Sequence, residues 1–320
     1  MRWLSEFASR VKRGPRLGGD AILEHITALT GAEDPFVFHY DELEVLAYHV
    51  ETPLPHTLYV TFGLSRVRTA VPAAGTQTEL TLRTPADTPV PYEWPARQLA
   101  TMVRNVRRSG YEIAPGHHMR MRSPVTDYAV IEAFTFVTDP VLGVIDPPTG
   151  IVRFTYAVGL TARELEAALA WDPLRFTGVL GDVVPLGISD PARDDILNDI
   201  HARGRVERGM RDEGSSISAV HAKLLSVDAT GRIDMDARAA QALIRAARYR
   251  LPHGHSFALV SESAWVFLHP EGSFEADAEH IQLAATKSLI HELNATLDTA
   301  PGVYRFSSAP VTIHVVDERT

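Results

Sequence analysis

A strongly charged segment at residues 191–214 constrains this chain most, because it separates two stretches that each have enough apolar residues for a core. Its 24 residues include five basic and six acidic side chains. The second half of the segment has too little apolar content to bury, which is typical of a connector between domains. A chain of 320 residues is long for one core and suits two. The sequence therefore predicts domains at residues 1–204 and 215–320, joined by a charged linker at 205–214.

The first of these domains mixes strand and helix patterns. A helix is expected to open at Pro95, whose fixed φ suits a first turn, and to end at Arg108 before Gly110. Another helix should follow Thr161, which forms a capping box with Glu164. Segments rich in β-branched and aromatic residues predict strands at 57–64, 77–83, 128–137 and 151–158.

The second domain repeats this mixture. The patterns predict a strand at 217–227, a helix at 236–249, a hairpin at 256–268, a helix at 277–298 and a last strand at 311–316. Sheets with helices packed on them describe both halves. The predicted fold class is therefore α+β, with two domains that are each a mixed β-sheet packed with α-helices.

Composition limits the classes of partner and the compartment. The chain has no cysteine, which excludes disulfides and thiolate chemistry and fits the cytoplasm. Its net charge of −9 argues against nonspecific nucleic-acid binding. No apolar run is long enough for a membrane span or a signal core. Trp3, Phe7 and Val11 lie at helical spacing among basic residues, which favours a short helix packed on the domain over a membrane anchor.

Motifs for catalysis and cofactors are absent from the sequence. No glycine-rich nucleotide loop, serine-hydrolase elbow or paired-histidine zinc helix occurs. His253 and His255 could form half of a metal site, but no third ligand stands near them in sequence. We therefore expect no metal, no cofactor and no enzymatic activity. A metal-dependent hydrolase that uses this histidine turn is kept as a less favoured alternative.

Several segments, in order along both halves, resemble the Suppressor of fused family. They are YVTFGLS (59–65), TELTLR (78–83), EWPARQL (93–99), LTARELEAALAW (160–171), VVPLGISDPARDD (183–195), RVERG…DEGSSISAVHAK (205–223) and LPHGHSFAL (251–259). The long insert in the C-terminal domain of animal members is missing here. The compactness of the chain resembles that of bacterial members.

The resemblance implies a non-enzymatic protein that clasps a peptide or protein partner in a cleft between its two domains. Animal members bind their ligand as an added strand. The Tyr and Asp with which those members hold a Gli peptide correspond to Asn105 and His117 here. These two residues, together with Ile217 and Ala219 on the strand that begins near Ile217, are the predicted partner-binding residues. A neutral imidazole cannot replace a carboxylate that accepts hydrogen bonds without a change in chemistry, so a different partner is expected.

An alternative function also follows from the resemblance, since some single-domain bacterial relatives are associated with toxin systems. In that case the partner would be a toxin, and the chain would be an immunity protein that neutralises it. An acidic protein suits a basic toxin, because complementary fields speed association. The sequence gives neither the identity of the partner nor the oligomeric state.

Overall fold

A computed structural model of the chain describes residues 17–41, 43–65, 77–110, 113–121, 129–147 and 150–317. The basic amphipathic pattern that begins at Trp3 lies outside these residues. The chain divides into two compact units. The first comprises Met1–Leu165 and Thr177–Asn198, and the second comprises Glu166–Phe176 and Asp199–Thr320. Both combine mixed sheets with helices, so the predicted α+β class is confirmed.

The first unit is built on one mixed sheet. Its described strands are β1 (Phe36–Tyr40), β2 (Leu43–Val50), β3 (His56–Phe62), β4 (Gln77–Pro85), β5 (His118–Arg120), β6 (Ala133–Thr138), β7 (Val144–Ile145) and β8 (Val152–Leu160). Their order is β1-β2-β3-β4-β8-β6-β5, with β7 paired to β8. The β4–β8 pair is parallel and the other neighbours are antiparallel. Among the described strands, the short β5 therefore ends one side of the sheet.

Helices pack on both faces of this sheet. Helix α1 (Leu17–Thr30) buries Ile22 and Ile26 in a cluster that includes Leu58 and Val60. Helix α2 (Glu93–Ser109) buries Leu99 and Val106 in the cluster around Tyr59, which points to the opposite face. Two further helices, α3 (Ala162–Ala170) and α4 (Pro173–Val183), follow β8 and contribute residues to both units. Side chains alternate along β3, so this strand contributes residues to the apolar clusters on both faces of the sheet.

The second unit has two sheets around one core. Its helices are α5 (Ile200–Asp212), α6 (Ala237–Tyr249) and α7 (Lys287–Thr296). The four-stranded sheet has the order β10 (Leu225–Val227), β11 (Arg232–Asp236), β17 (Thr312–Val316) and β16 (Gly302–Arg305). The five-stranded sheet has the order β14 (Glu275–Ala276), β15 (His280–Ala284), β13 (Trp265–His269), β12 (Phe257–Val260) and β9 (Ala219–His221). Thus β9 ends the second of these sheets.

Most of the predicted elements are present. The strands predicted at 57–64, 77–83, 151–158 and 311–316 correspond to β3, β4, β8 and β17, and the predicted hairpin is β12–β13. The helices predicted from Pro95, after Thr161 and at 236–249 correspond to α2, α3 and α6. The strand predicted at 128–137 is β6, which begins only at Ala133; residues 129–132 are not strand, and Tyr128 lies outside the described residues.

Two predictions in the second half are wrong. The segment 217–227 is two strands in different sheets, because the chain bends between β9 and β10. The segment 277–298 is not one helix, since Ile281 and Leu283 alternate into the core as part of β15. The helix begins only at Lys287, where the Thr286 hydroxyl accepts a hydrogen bond from the Leu289 amide.

The predicted charged linker at 205–214 is helical over most of its length. Residues 205–212 form the second half of α5, whose first amides donate to the Asp199 carboxylate. Val206 and Gly209 are buried, so one narrow stripe of this polar helix is enough to pack it. The domain limits drawn from the sequence stay a prediction.

Candidate functional site

The end of the first unit's sheet is formed by β5 and the turn before it. The Gly116 amide donates to the Phe136 carbonyl and the His117 amide donates to the Ala114 carbonyl, at 2.8 and 3.0 Å. The His117 carbonyl accepts from the Phe136 amide, which begins the pairing of β5 with β6. The side chain of Met119 packs against the core of the unit, while its neighbours along β5 are exposed.

The two predicted partner-binding residues of this unit both lie near β5. Asn105 is on α2, and His117 immediately precedes the strand. Asn105 is half-buried on α2, and its Nδ2 lies 4.0 Å from the sulfur of Met119. His117 is exposed, and its Nδ1 accepts a hydrogen bond from the Ala114 amide at 3.3 Å. The structure therefore brings the Asn105 side chain to the strand that His117 immediately precedes.

The two predicted residues of the second unit lie at the start of β9. Ile217 is half-buried and its amide donates to the Ser215 hydroxyl, which in turn donates to the Leu169 carbonyl. Ala219 is exposed and pairs opposite Ala258 of β12, in parallel register. The Ala258 amide donates to the Ser218 carbonyl, so alternation along the strand points the Ala219 amide away from β12.

A buried carboxylate explains why the YVTFGLS and TELTLR segments go together. Glu79 of β4 accepts hydrogen bonds from the amides of Gly63, Leu64 and Ser65 and from the hydroxyls of Thr61 and Ser65. Desolvation raises the pKa of Glu79, although these donors oppose the shift. Its role is to hold the turn after β3, since the side chain is fully buried.

A buried ion pair holds the neighbouring part of this sheet. The Arg83 guanidinium donates to Asp139 at 2.8 Å and lies 4.6 Å from the ring centre of Tyr156. Asp139 also accepts from the Thr81 hydroxyl and from two amides of the turn after β6. Burial alone would raise the pKa of Asp139, but the Arg83 charge and these donors hold it below its ordinary value.

A third buried carboxylate confirms the predicted capping box. The Thr161 amide donates to Glu164, and the Glu164 amide donates to the Thr161 hydroxyl, at 2.9 and 3.2 Å. Glu164 also pairs with Arg193 and accepts from the Ile196 amide. The segments 160–171 and 183–195 therefore meet at one carboxylate, which fixes the chain between them.

The second unit also contains a groove of about 360 Å³ between α3, α5 and α6. Met210, Ile244 and Tyr249 line it, and its Glu166 carboxylate accepts from Arg245 at 2.9 Å. The groove is mainly apolar and its one acidic side chain is neutralised. It offers a packing surface without a constellation of groups for acid–base chemistry.

The described residues form neither a grouped metal site nor a helix that could span a membrane. Within them, no three His, Asp or Glu side chains are grouped to hold a metal ion. His253 ends a short 3₁₀ turn and left-handed Gly254 separates it from His255. None of the helices in the described part of the chain has the length and apolar character needed to cross a bilayer.

Comparison with solved structures identifies the class of fold. The crystal structure of Drosophila Suppressor of Fused matches with a TM-score of 0.71 at 17% identity, over 93% of this chain and 96% of that one. The crystal structure of a Sufu–Fu complex matches with a TM-score of 0.53 at 20% identity, over 61% of this chain and 98% of that one. The fold is thus the two-unit α+β fold of Suppressor of Fused.

The sequence comparisons show a similarity to one family over part of the chain. Residues 39–194 match the profile of the family described as Suppressor of fused protein (SUFU). The Suppressor of fused homologs of Homo sapiens and Mus musculus are each 30% identical over 186 residues. That match spans 52% of this chain but only 38% of either relative. Over residues 39–194 the chain is thus similar to the Suppressor of fused family.

Sequence reasoning missed β5 as a strand, although it singled out His117 beside it. Three residues are too short for alternation to be recognised. It also missed β15, whose HIQLA alternation was a usable signal.

Proposed function

We propose that this protein is a non-enzymatic binding protein that holds a peptide or protein partner by strand addition at β5 and β9. The observation that carries the proposal is the position of these strands, since each is the last described strand of its sheet and each lies beside residues carried over from the resemblance. One of the structures that share the fold is a Sufu–Fu complex, which supports a protein partner.

Strand addition suits these positions physically. An added strand gains affinity from main-chain hydrogen bonds and specificity from side chains at alternate positions. The outward-pointing amide of Ala219 is a donor suitable for such a bond. At β5, Asn105 and His117 would supply the side-chain contacts. Their amide and imidazole favour a partner that offers neutral hydrogen-bonding groups.

We further propose that one partner engages both strands, as a clasp. The three buried carboxylates support the non-enzymatic part of the proposal, because their oxygens already accept hydrogen bonds from backbone amides and neighbouring side chains. A metal-dependent hydrolase has no such support among the described side chains.

The first test is Ala219→Pro, assayed by capture of partners from the native cell extract and mass spectrometry. Proline removes only an N–H that points away from β12, so β9 should stay paired while strand addition is blocked. We expect a single stoichiometric partner with the wild type and at least tenfold less of it with the variant. Ala229→Pro is the matched control, because Ala229 is the second residue of an exposed turn closed by the Gly231 amide.

The outcomes separate the alternatives. Equal capture by the wild type and Ala219→Pro would remove β9 from the proposal, provided that both have the same circular dichroism spectrum. Loss of capture in Asn105→Ala and His117→Ala, with Ala219→Pro unaffected, would restrict the site to β5.

A narrower proposal is that the partner is a basic toxin and that the chain is its immunity protein. The net charge of −9 on this chain complements the positive charge of a basic toxin. The test is co-expression with the product of a toxin gene adjacent to this one. Survival of the cells would support the proposal, and unchanged killing by a toxin that is expressed would remove it.

A further inference from the structure

The five-stranded sheet of the second unit has one face in the core and one face outside it. Phe257, Leu259, Val266 and Leu268 alternate into the core cluster. The intervening side chains point to the opposite face and are half-exposed or exposed: Ala258, Val260, Trp265, Phe267, His269, His280 and Gln282. Register supports this, because Trp265 pairs opposite Val260 and His280 while Phe267 pairs opposite Ala258 and Gln282.

Four rings form a continuous strip on this outer face, which we call the aromatic face: Trp265, Phe267, His269 and His280. The ring centres of Trp265 and Phe267 are 6.2 Å apart in an edge-to-face arrangement. Phe267 lies 5.8 Å from His269, and Trp265 lies 4.7 Å from His280. A strip of large rings on an outer sheet face is typical of a binding surface rather than of a solvated one.

Carboxylates lie along the side of the aromatic face that is formed by β14 and β15. Residues 251–286 contain five acidic residues, Glu262, Glu271, Glu275, Asp277 and Glu279, and no lysine or arginine. Glu275 pairs opposite Gln282, which itself pairs opposite Phe267. Asp277 lies 3.2 Å from the Nδ1 of His280, and Glu279 lies 4.0 Å from its Nε2. The edge of the sheet away from β14 is β9, and Lys223 is the basic residue nearest to it in sequence.

Charge and ring chemistry together indicate which kind of partner segment the aromatic face would bind. The faces of aromatic rings attract cations, and arginine also stacks on them. Neighbouring carboxylates strengthen that preference and can pair with the guanidinium. A second copy of this chain is disfavoured, because a symmetric contact would bring the same carboxylates together.

We propose that the aromatic face binds an arginine-containing segment of a protein partner, with guanidinium groups over Trp265 and Phe267 and close to Glu275. This surface goes beyond strand addition at β5 and β9 and does not depend on it. A partner that adds to β9 would continue the same sheet, so both contacts could serve one partner.

The test uses two synthetic hexapeptides, Arg-Val-Arg-Val-Arg-Val and its counterpart with glutamate in place of arginine. Binding to the full chain is measured by calorimetry and by the shift of the Trp265 indole signal in NMR spectra. We expect binding of the arginine peptide and none of the glutamate peptide. Trp265→Ser and Phe267→Ser should each weaken binding by roughly five- to thirtyfold, the range that one cation–π contact supports. Val303→Ser is the matched control, because Val303 is an exposed apolar residue on the other sheet.

Further variants distinguish binding on the aromatic face from strand addition and from self-association. Glu275→Gln should weaken the binding of the arginine peptide and reduce the salt dependence of that binding. Glu207→Gln on α5 should change neither. If Ala219→Pro still binds the arginine peptide, the peptide lies on the aromatic face. If Ala219→Pro is the only variant that loses binding, the proposal is overturned in favour of strand addition. Equal affinity for both peptides, or no effect of Trp265→Ser, would also overturn it. A dimer seen in sedimentation that Trp265→Ser abolishes would instead assign this face to self-association.

Discussion

Three buried carboxylates, Glu79, Asp139 and Glu164, each fix a loop against the sheet of the first unit. Each accepts at least one backbone amide from the loop that it holds. An ionised group in this position is tolerated only when its hydrogen-bonding capacity is filled. The segments that resemble the family are therefore explained in part by loop anchoring.

Removal of the Arg83 charge should be strongly destabilising. Arg83→Met leaves the Asp139 carboxylate buried without its counter-charge, and the expected loss is about 3–5 kcal/mol in the free energy of unfolding. The double variant Arg83→Met/Asp139→Asn should recover most of this loss, since the amide stays neutral and still accepts from the turn after β6. Urea unfolding measures both. A double variant as unstable as the single one would show that the packing of Arg83 on Tyr156 matters more than its charge.

Glu79 should make stability depend on pH in a defined direction. Desolvation raises the pKa of Glu79 in the folded state, so the folded chain binds the proton more tightly than the unfolded chain does. The stabilising contribution is complete below the ordinary glutamate pKa of about 4.3 and is lost as the pH rises through the folded pKa. The free energy of unfolding of the wild type, relative to Glu79→Gln, should fall over that window and then level off. A difference that grows as the pH rises would contradict the prediction.

At the scale of elements, the contact between α5 and Trp171 holds the start of the second unit. The Trp171 indole N–H donates to Glu213 at 2.7 Å, and the Trp171 carbonyl accepts from the Ser216 amide. The indole ring covers Gly209, and a Cβ at that position would overlap ring carbons. A glycine within a helix is usually unfavourable, and here the close approach of the ring accounts for it.

Two glycines of α5 provide a matched pair of variants. Gly209→Ala should destabilise the protein by about 1–3 kcal/mol through overpacking against Trp171. Gly204→Ala on the same helix should stabilise it by up to about 1 kcal/mol, because its Cβ meets only an Arg208 nitrogen at 3.7 Å. Thermal unfolding checks both. Equal effects of the two variants would show that the ring moves aside at little cost.

At the scale of the whole molecule, the chain passes between its two units more than once. Glu166–Phe176 belongs with the second unit although residues 177–198 return to the first. The predicted boundary at residue 204 cuts α5 and removes Trp171 from the second unit. A boundary predicted from a charged segment does not include such an exchange of segments between units. The exchange depends on contacts between residues that are distant in sequence.

Fragments test this arrangement. A fragment of residues 166–320 keeps Trp171, its partner Glu213 and all of α5, and it should unfold cooperatively. A fragment of residues 215–320 lacks the helix and the indole that cover this end of the unit and should be markedly less stable, with a broad transition in urea. Equal cooperativity of both fragments would support the boundary drawn from the sequence.

The sequence alone determined the elements whose signal is local. Helix α2 follows from Pro95 and its spaced apolar residues, the capping box from Thr161 and Glu164, and the hairpin β12–β13 from alternation. The tertiary structure decided the rest. Residues 280–284 form a strand because β13 lies beside them and their apolar side chains reach the core in that conformation. The positions of β5 and β9 at the ends of the described sheets, and the half-exposed strip of rings next to acidic residues, likewise arise from strand order, because pairing joins segments that local propensity treats separately.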